Sequence, residues 1–331
     1  MTLWERSRRP GDRRRIVGKD DKPVTDPVEI LWTPAGISLP SLGSRALAHV
    51  HDGDTPYVEM PIRMLSVDTP ETTADTAEGA KKVDEKFKQL AAWIRDGIAP
   101  ISDDLAEFLL PKIETGNAGS LQFSQGTEAA TFNTENIKKR LAEGRDPGKE
   151  RGIFIRTADD FFDDNNRLLA YIAPNYSKKE LETLPREKRP TFNLDLIAEG
   201  WAAPFVVYPS IPGELDLPLF LRAADKAVKD KKKIWKDPHT LLAYEYRALE
   251  KLHGVTKKKA EGKKLEPDEA FSWRTRYCAD MRNRELHGPE DYFRVPPIYR
   301  LWLWPQDVNE AIGHLNLTPS RRLTGSSSRT R

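Results

Sequence analysis

Acidic residues stand at both ends of a short apolar run within residues 51–73. Asp54 lies in the turn sequence Asp-Gly-Asp-Thr before the run, and Asp68 lies in the Asp-Thr-Pro turn that ends it. A hairpin of the flanking strands brings the two carboxylates together, and the second turn leaves the Thr69 carbonyl free. Because Ca²⁺ prefers carboxylate and carbonyl oxygens, the pattern is consistent with a divalent-cation site formed by Asp54, Asp68 and Thr69.

A carboxylate and a guanidinium accompany this cation site. Glu71 comes three residues after Asp68, which suits a group that orients or deprotonates a water molecule. Arg63 interrupts the apolar strand, and a guanidinium matches phosphate oxygens with paired donors. These residues favour metal-assisted hydrolysis of a phosphodiester. Two ordinary turns and a solvent-facing arginine explain them as well, since short motifs often match by accident.

Four segments of the chain, in the same order, resemble the staphylococcal nuclease (thermonuclease) family. They are DGDT…R…VDTPET, NNRLLAYI, FNLDLIAEGWA and FLRAADKAVKDKKKIW, and they extend from about Ala46 to Trp235. The third is similar to the family's Asn-x-x-Leu-Val-x-x-Gly-x-Ala helix. The fourth is similar to its closing helix, with a Lys-rich end and a final tryptophan. Four segments in order are a far more specific signal than one.

The resemblance implies a fold, an activity and a set of site residues. The fold is α+β, a five-stranded oligonucleotide-binding (OB) β-barrel with packed helices, and the activity is Ca²⁺-dependent cleavage of DNA and RNA that leaves 3′-phosphates. Asn193 matches a structural position. The matching site positions are the metal ligands Asp54, Asp68 and Thr69, the carboxylate at the attacking water, Glu71, the phosphate-binding arginines Arg63 and Arg167, and Asp52, an acid near the metal that is not a ligand.

The chain departs from the family pattern at three places. The connection before Arg63 is short, which leaves the first hairpin more open to bulky substrates. Asn165 and Asn166 stand where the family often has a tyrosine, while Tyr208 in a later strand remains a possible substrate contact. Residues from about 97 to 150 have no family counterpart. They are predicted to form a helical insertion that either caps the active-site groove or packs behind it.

Hydrophobic spacing predicts the elements around these residues. The segment TAEGAKKVDEKFKQLAAWIRDG has the spacing of an amphipathic helix, and Ser102 is an N-cap candidate for a second helix. A third is predicted to start at Asn133 or Thr134 and to end at Gly144. The segment RGIFIRTADDFFDDNNRLLAYIAPN is typical of a β-hairpin. Strands are also predicted at VEILW and GISLPSL, and helices at FNLDLIAEGWA, LPLFLRAADKAVKDKKKIW and residues 241–252.

Composition and charge indicate a soluble protein with unevenly distributed charge. Charged residues make up 31% of the chain and the formal net charge is +2. Residues 222–264 carry 14 Lys and Arg against 6 Asp and Glu, which suits a polyanionic partner such as nucleic acid, although a solvated helix face explains this as well. No apolar run is long enough for a membrane span. The lack of a signal peptide and the single Cys278 favour a cytoplasmic location.

The predicted organisation has four parts, a flexible basic arm (residues 1–27), a nuclease-like domain (28–236), a C-terminal addition of unknown fold (237–316) and a disordered tail (317–331). In the addition, arginines are interleaved with aromatic residues between Phe271 and Trp304. Such a mixture binds nucleic acid or packs rings beneath arginine side chains. Packing is favoured, because YRLWLWP alternates like a half-buried strand.

Two functions compete with an active nuclease. One is a nucleic-acid-binding barrel without catalysis. The other is a nuclease core that the insertion or the C-terminal addition keeps inactive until a protein partner binds. The sequence alone leaves the choice between DNA and RNA open.

Overall fold

Helices and strands form a mixed α+β fold in the part of the chain that the computed structural model describes, residues 42–213 and 216–324 without the side chains of residues 159 and 160. The strands are β1 (Leu47–Asp52), β2 (Thr55–Val58), β3 (Ile62–Met64), β4 (Ser66–Asp68), β5 (Ile153–Phe162), β6 (Leu168–Pro174), β7 (Ala203–Val207), β8 (Tyr277–Asp280), β9 (Glu285–His287), β10 (Arg300–Leu303) and β11 (Thr318–Pro319). The helices are α1 (Ala77–Arg95), α2 (Asp103–Ile113), α3 (Ala118–Ala142), α4 (Lys178–Thr183), α5 (Phe192–Ala198), α6 (Asp216–Lys229), α7 (Ala243–Ala260), α8 (Pro267–Ala270), α9 (Val308–Leu315) and α10 (Arg321–Thr324).

The predicted α+β class is confirmed. The predicted arm (residues 1–27), the strand VEILW, all of the strand GISLPSL except Leu42, and residues 325–331 lie outside the described residues. Within the described ranges, no helix is both long and apolar enough to cross a membrane.

The strands form three open sheets. β1 and β2 pair as an antiparallel hairpin, β6 lies between β3 and β5, and the third sheet has the order β11–β9–β8–β10–β7–β4. None of the sheets closes on itself within the described residues, so the predicted five-stranded barrel is not confirmed. The β1–β2 hairpin pairs with neither of the other two sheets. β7 pairs with β4 on one edge and in parallel with β10, a strand of the C-terminal addition, on the other, where Leu301 lies opposite Val206.

A tight bend between β3 and β4 positions the residues singled out in the sequence. Ser66 has a φ of 59°, a left-handed conformation that is uncommon for residues other than glycine. The Leu65 amide donates to the Ala170 carbonyl (3.0 Å), and the Leu65 carbonyl accepts from Asn193 Nδ2 (2.9 Å). Asn193 Oδ1 accepts from the Ile172 amide (3.0 Å). The fully buried Asn193 side chain therefore fastens α5 to the bend and to β6, a structural role as the resemblance implies.

The predicted amphipathic helix is confirmed as α1. Thr76 caps its N-terminus by accepting a hydrogen bond from the Gly79 amide (3.0 Å). Phe87 meets the ring of Tyr246 in α7 edge-on, with ring centroids 5.3 Å apart. Burial of a side chain of this size contributes about 1.5–3 kcal/mol. The apolar residues of the buried face are Ala80, Val83, Phe87, Leu90, Ala91 and Ile94.

The third predicted helix begins earlier than the sequence indicates. Asn133 and Thr134, the predicted caps, lie inside α3, so that part of the prediction is wrong. Asp84 of α1 instead accepts hydrogen bonds from the first amides of α3, those of Gly119 (2.6 Å) and Ser120 (3.0 Å). Because this cap comes from another helix, a search for local capping residues misses it.

The insertion, which contains α2 and α3, packs behind the loop that follows β4. At Gly126 of α3, an added Cβ would lie 2.7 Å from the Pro70 carbonyl oxygen and 2.9 Å from Thr72 Cγ2. One turn further along, Ala129 is buried in the same apolar cluster as Val67 of β4. Of the two roles considered for the insertion, these contacts support packing behind the loop.

Replacing Gly126 with alanine is expected to lower the free energy of unfolding by about 1–3 kcal/mol, because the opposing atoms include backbone that cannot rotate away. Gly254→Ala is the control. Gly254 is an exposed helical position with nothing within 4 Å of an added Cβ, and its replacement is expected to stabilise by about 0.5–1 kcal/mol. Urea denaturation measures both variants, and equal effects at the two positions would contradict the close packing at Gly126.

The C-terminal addition continues the sheet of β7. All four residues of β10 are buried, which agrees with the prediction that this segment packs. The helix predicted for residues 241–252 is α7, and it continues through Ala260. Regular structure also extends past residue 317, where a disordered tail was predicted, because Thr318 of β11 lies opposite Glu285 of β9. This pairing with β9 is a long-range contact that the composition of the segment does not reveal.

Candidate active site

Asp68 is the centre of a cluster of charged side chains. It ends β4, and its side chain is only 1% exposed. Arg63 of β3 donates from Nη2 to Asp68 Oδ1 (2.9 Å). A buried carboxylate needs such partners, since transfer of an unpaired charge out of water is costly. The bend between β3 and β4 thus brings together two residues that the sequence assigned to one site.

Arg247 of α7 is a second guanidinium on Asp68, and it was not predicted. Its Nη2 lies 2.8 Å from Asp68 Oδ2 and its Nη1 lies 3.1 Å from Asp68 Oδ1, while Nη1 also donates to Glu71 Oε1. Burial opposes the charged form of Arg247, but the carboxylates of Asp68 and Glu71 outweigh it and raise the pKa above its ordinary value. The guanidinium is therefore the cation on which both carboxylates converge.

Glu71 is held at its backbone as well as at its carboxylate. With the Gln122 amide oriented to satisfy its neighbours, Gln122 accepts from the Glu71 amide (2.9 Å) and donates to the Leu241 carbonyl (3.0 Å). Gln122 belongs to α3 and is buried. The insertion and the segment before α7 thus share one side chain that fixes the Glu71 backbone, and Arg247 fixes its carboxylate. Such double support is what a group with a defined orientation requires.

Arg167 lies at the end of the turn that leads into β6, the strand beside β3. β3 and β6 are parallel, with Arg63 opposite Leu169, and just before this pairing the Leu168 amide donates to the Pro61 carbonyl (2.9 Å). Its Nε lies 2.8 Å from Asp163 Oδ2, and the side chain is 39% exposed. Burial alone would raise the pKa of Asp163, but hydrogen bonds from Arg167 and its charge lower it. Arg167 is thus one residue before the strand that pairs with that of Arg63, and its carboxylate partner is Asp163.

Asp54 and Asp52 lie on the exposed β1–β2 hairpin. Asp54 Oδ1 accepts from Thr55 Oγ1 (3.2 Å), and a hydrogen bond with Thr55 contributes most to lowering the pKa of Asp52. The part of the chain that the structure describes contains no group of three or more His, Cys, Asp or Glu side chains suited to a metal. The hairpin therefore does not bring Asp54 into one ligand set with Asp68 and Glu71.

Thr69 and Tyr208 complete the set of predicted site residues. Thr69 directly follows Asp68 and is partly buried. Tyr208 is 7% exposed, and its hydroxyl lies 2.7 Å from His314 Nδ1 and 3.3 Å from Glu310 Oε1. Both partners belong to α9 in the C-terminal addition. Tyr208 therefore contacts the addition, and its hydroxyl is already hydrogen-bonded there.

The donor chemistry of Asp68 and Glu71 fits a hard divalent cation, although a guanidinium holds that position. Arg247 Nη1 contacts a carboxylate oxygen of each residue, so their oxygens converge on a single positive group. Asp68 and the Thr69 carbonyl are adjacent in the chain, as a shared ligand role requires. A cation held by these same oxygens would compete with Arg247 for them.

Sequence reasoning missed Arg247 because 179 residues separate it from Asp68. The signal in the sequence is an arginine within Tyr-Glu-Tyr-Arg-Ala-Leu, which is equally typical of the polar side of an amphipathic helix. No protein-family model matches the chain, and no curated protein is significantly similar to it.

Proposed function

We propose that this protein is a nuclease of the staphylococcal type, with an OB-fold-related core, that hydrolyses phosphodiester bonds of DNA, RNA or both. The observation that carries the proposal is the cluster of Arg63, Asp68 and Glu71 at the bend between β3 and β4. Arg167 directly precedes β6, the strand that pairs with the strand of Arg63. Cationic phosphate ligands beside a fixed carboxylate are what hydrolysis of a phosphodiester requires.

The proposed mechanism assigns one role to each of these side chains. Arg63 and Arg167 bind the non-bridging oxygens of the scissile phosphate and neutralise the charge that grows there. To do so, Arg167 breaks its ion pair with Asp163 and binds the phosphate instead. Glu71 accepts a proton from the water whose oxygen attacks phosphorus. The bond from phosphorus to the 5′ oxygen breaks, that oxygen takes up a proton, and the phosphate remains on the 3′ side.

Ca²⁺ is the cofactor in this proposal. Asp68 and the Thr69 carbonyl would hold it, and it would supply additional positive charge at the phosphate. Asp54 would join these ligands only after a movement of the β1–β2 hairpin towards Asp68. The carboxylate of Asp52 lies two residues from Asp54 and adds negative charge beside that ligand. Tyr208 is left out of the substrate contacts in this mechanism, because its hydroxyl is hydrogen-bonded to His314.

A basic surface at the end of α7 suits a nucleic-acid substrate. Lys257, Lys258 and Lys259 are exposed in its last turn. Positive charge on the surface attracts a polyanion and speeds association, an effect that salt screens. The same helix carries Arg247 into the charged cluster, so a strand bound along α7 is guided towards Asp68.

A second candidate function is a nucleic-acid-binding protein whose nuclease core is silent or regulated by a partner. The observation that favours it is the position of Arg247, which pairs with both Asp68 and Glu71. While that contact persists, the carboxylate of Glu71 is held by a guanidinium. This candidate differs from the first in predicting binding without cleavage.

Removal of the metal separates the two candidates. The full chain is expected to degrade single-stranded DNA in Ca²⁺ and to leave it intact in excess chelator, because the cation neutralises charge that two arginines alone leave partly unbalanced. Gel analysis of an end-labelled strand measures cleavage, and treatment of the products with phosphatase identifies the 3′-phosphate. Parallel reactions with duplex DNA and RNA establish the preferred substrate.

The control for contamination by another nuclease is Arg167→Ala, which is expected to be inactive in the same preparation. Cleavage that persists in chelator would overturn the metal-dependent mechanism. Binding without cleavage in either condition would favour the second candidate.

A further inference from the structure

Arg276 lies beside the charged cluster, and its guanidinium forms no ion pair with a carboxylate of the described residues. It directly precedes β8 in the C-terminal addition. Its guanidinium lies 3.9 Å from the ring centroid of Trp304 and 5.3 Å from that of Phe205. Phe205 also lies under Arg247, at 5.9 Å, so the two arginines share one ring. Among the described residues Arg276 has no ion pair, and its buried Nε has no hydrogen-bond partner.

This lack of a partner distinguishes Arg276 from the other stacked arginines of the described chain. Each of those rests on an aromatic ring and also pairs with a carboxylate. The pairs are Arg140 with Asp195, Arg151 with Glu180, Arg247 with Asp68, Arg274 with Glu290, Arg282 with Asp280, Arg294 with Asp291 and Arg300 with Glu245. Arg274 is the nearest comparison, because its guanidinium also lies 3.9 Å from a ring, that of Phe271. Stacking alone therefore does not account for Arg276.

The balance of charge around Asp68 points to an anion. Three guanidiniums, those of Arg63, Arg247 and Arg276, face two carboxylates, those of Asp68 and Glu71. Burial, together with the charge of Arg247, lowers the pKa of Arg276 to about 10 although the charge of Asp68 opposes the change, and the group is still charged at neutral pH. A partly buried cation without a counterion is unfavourable, and an arginine fork matches the paired oxygens of a phosphate.

We propose that Arg276 binds a backbone phosphate of a single-stranded nucleic acid, next to the phosphate held by Arg63. This inference rests on the proposed function for the identity of the ligand. Trp304 and Phe205 fix the plane of the guanidinium, so its N–H donors are oriented before the ligand arrives. Arg63 uses Nη2 on Asp68 and retains its other donors for phosphate. The C-terminal addition thereby supplies a substrate-binding residue to the nuclease-like core.

The salt dependence of binding tests the role of Arg276. Fluorescence anisotropy measures the affinity of the full chain for a short labelled single-stranded DNA, in excess chelator so that the probe is not cleaved. Arg276→Gln is expected to weaken binding about tenfold or more. It should also reduce the slope of log affinity against log salt by about 0.7, the contribution of one phosphate contact on a single strand. Arg274→Gln, the matched control, is expected to leave the slope unchanged.

Thermal unfolding of the same variants checks for a merely structural role. Glutamine keeps a planar group over Trp304 without the unpaired charge, so Arg276→Gln is expected to keep or raise the melting temperature. Arg274→Gln removes the partner of Glu290 and is expected to lower it.

An unchanged salt slope for Arg276→Gln would overturn the inference, whatever the melting temperature. The salt slope tests the role of Arg276, and the cleavage assay tests the nuclease function, so either claim can be refuted without the other. If Arg276→Gln reduces the slope but the parent never cleaves DNA, Arg276 is a phosphate ligand and the proposed nuclease function is wrong. If the parent cleaves DNA and Arg276→Gln leaves the salt slope unchanged, the nuclease function stands and Arg276 is not a phosphate ligand.

Discussion

Glu71→Gln is expected to lower kcat by about 10²–10⁴-fold, the usual contribution of a positioned general base. The substitution keeps the shape of the side chain, and the amide oxygen still accepts a hydrogen bond from Arg247. The Gln122 contact to the Glu71 backbone is also retained. What is lost is the ability to accept a proton from water. KM is expected to change little, because the phosphate is bound by arginines and not by Glu71.

Glu250→Gln is the matched control for this variant. Glu250 lies on α7, and burial raises its pKa, with the charge of Glu71 adding to the effect and that of Lys86 opposing it. It is thus a carboxylate in the same electrostatic environment that contacts neither Arg63 nor Arg247. The kcat of Glu250→Gln is expected to remain within a few-fold of the kcat of the parent. A Glu71→Gln protein with near-normal kcat would remove Glu71 from the proton transfer.

Local patterns in the sequence predicted the elements that depend on near neighbours. The periodicity of α1 and the hairpin of β5 and β6 are confirmed, because the residues that determine them lie within one segment. The contact of Arg63 with Asp68 also follows from a short stretch of chain. In contrast, the start of α3 depends on Asp84, a cap from another helix, and local capping patterns could not reveal it.

Long-range pairing explains what sequence reasoning missed. β7 pairs with β10, a strand from beyond the resemblance, and a parallel pair of this kind leaves no local signature in either segment. The contact of Arg247 with Asp68 was missed for the same reason. The packing of α7 on the core is determined by apolar residues such as Leu249 and not by its arginine. The site predicted from the sequence therefore lacked Arg247, whose charge neutralises the carboxylates of Asp68 and Glu71.

Arg247→Met is expected to lower the free energy of unfolding by about 3 kcal/mol in chelator, because it leaves a buried carboxylate with one guanidinium in place of two. Asp68 keeps Arg63, which limits the loss. Arg294→Met is the matched control. Both arginines are 33% exposed, but the partners of Arg294, Asp104 and Asp291, are far more exposed than Asp68. Removal of that exposed pair is expected to cost less than about 1 kcal/mol.

Ca²⁺ is expected to recover part of the stability that Arg247→Met loses. Without Arg247, the carboxylates of Asp68 and Glu71 face one guanidinium and become available to a cation, and a ligand that binds only the folded chain stabilises it by mass action. The rise in melting temperature on adding Ca²⁺ should therefore be larger in Arg247→Met than in the parent, and Mg²⁺, which demands a stricter geometry, should have less effect. Equal rises in parent and variant would mean that Arg247 and Ca²⁺ do not compete for these carboxylates, and the exchange on which the calcium site depends would then be wrong.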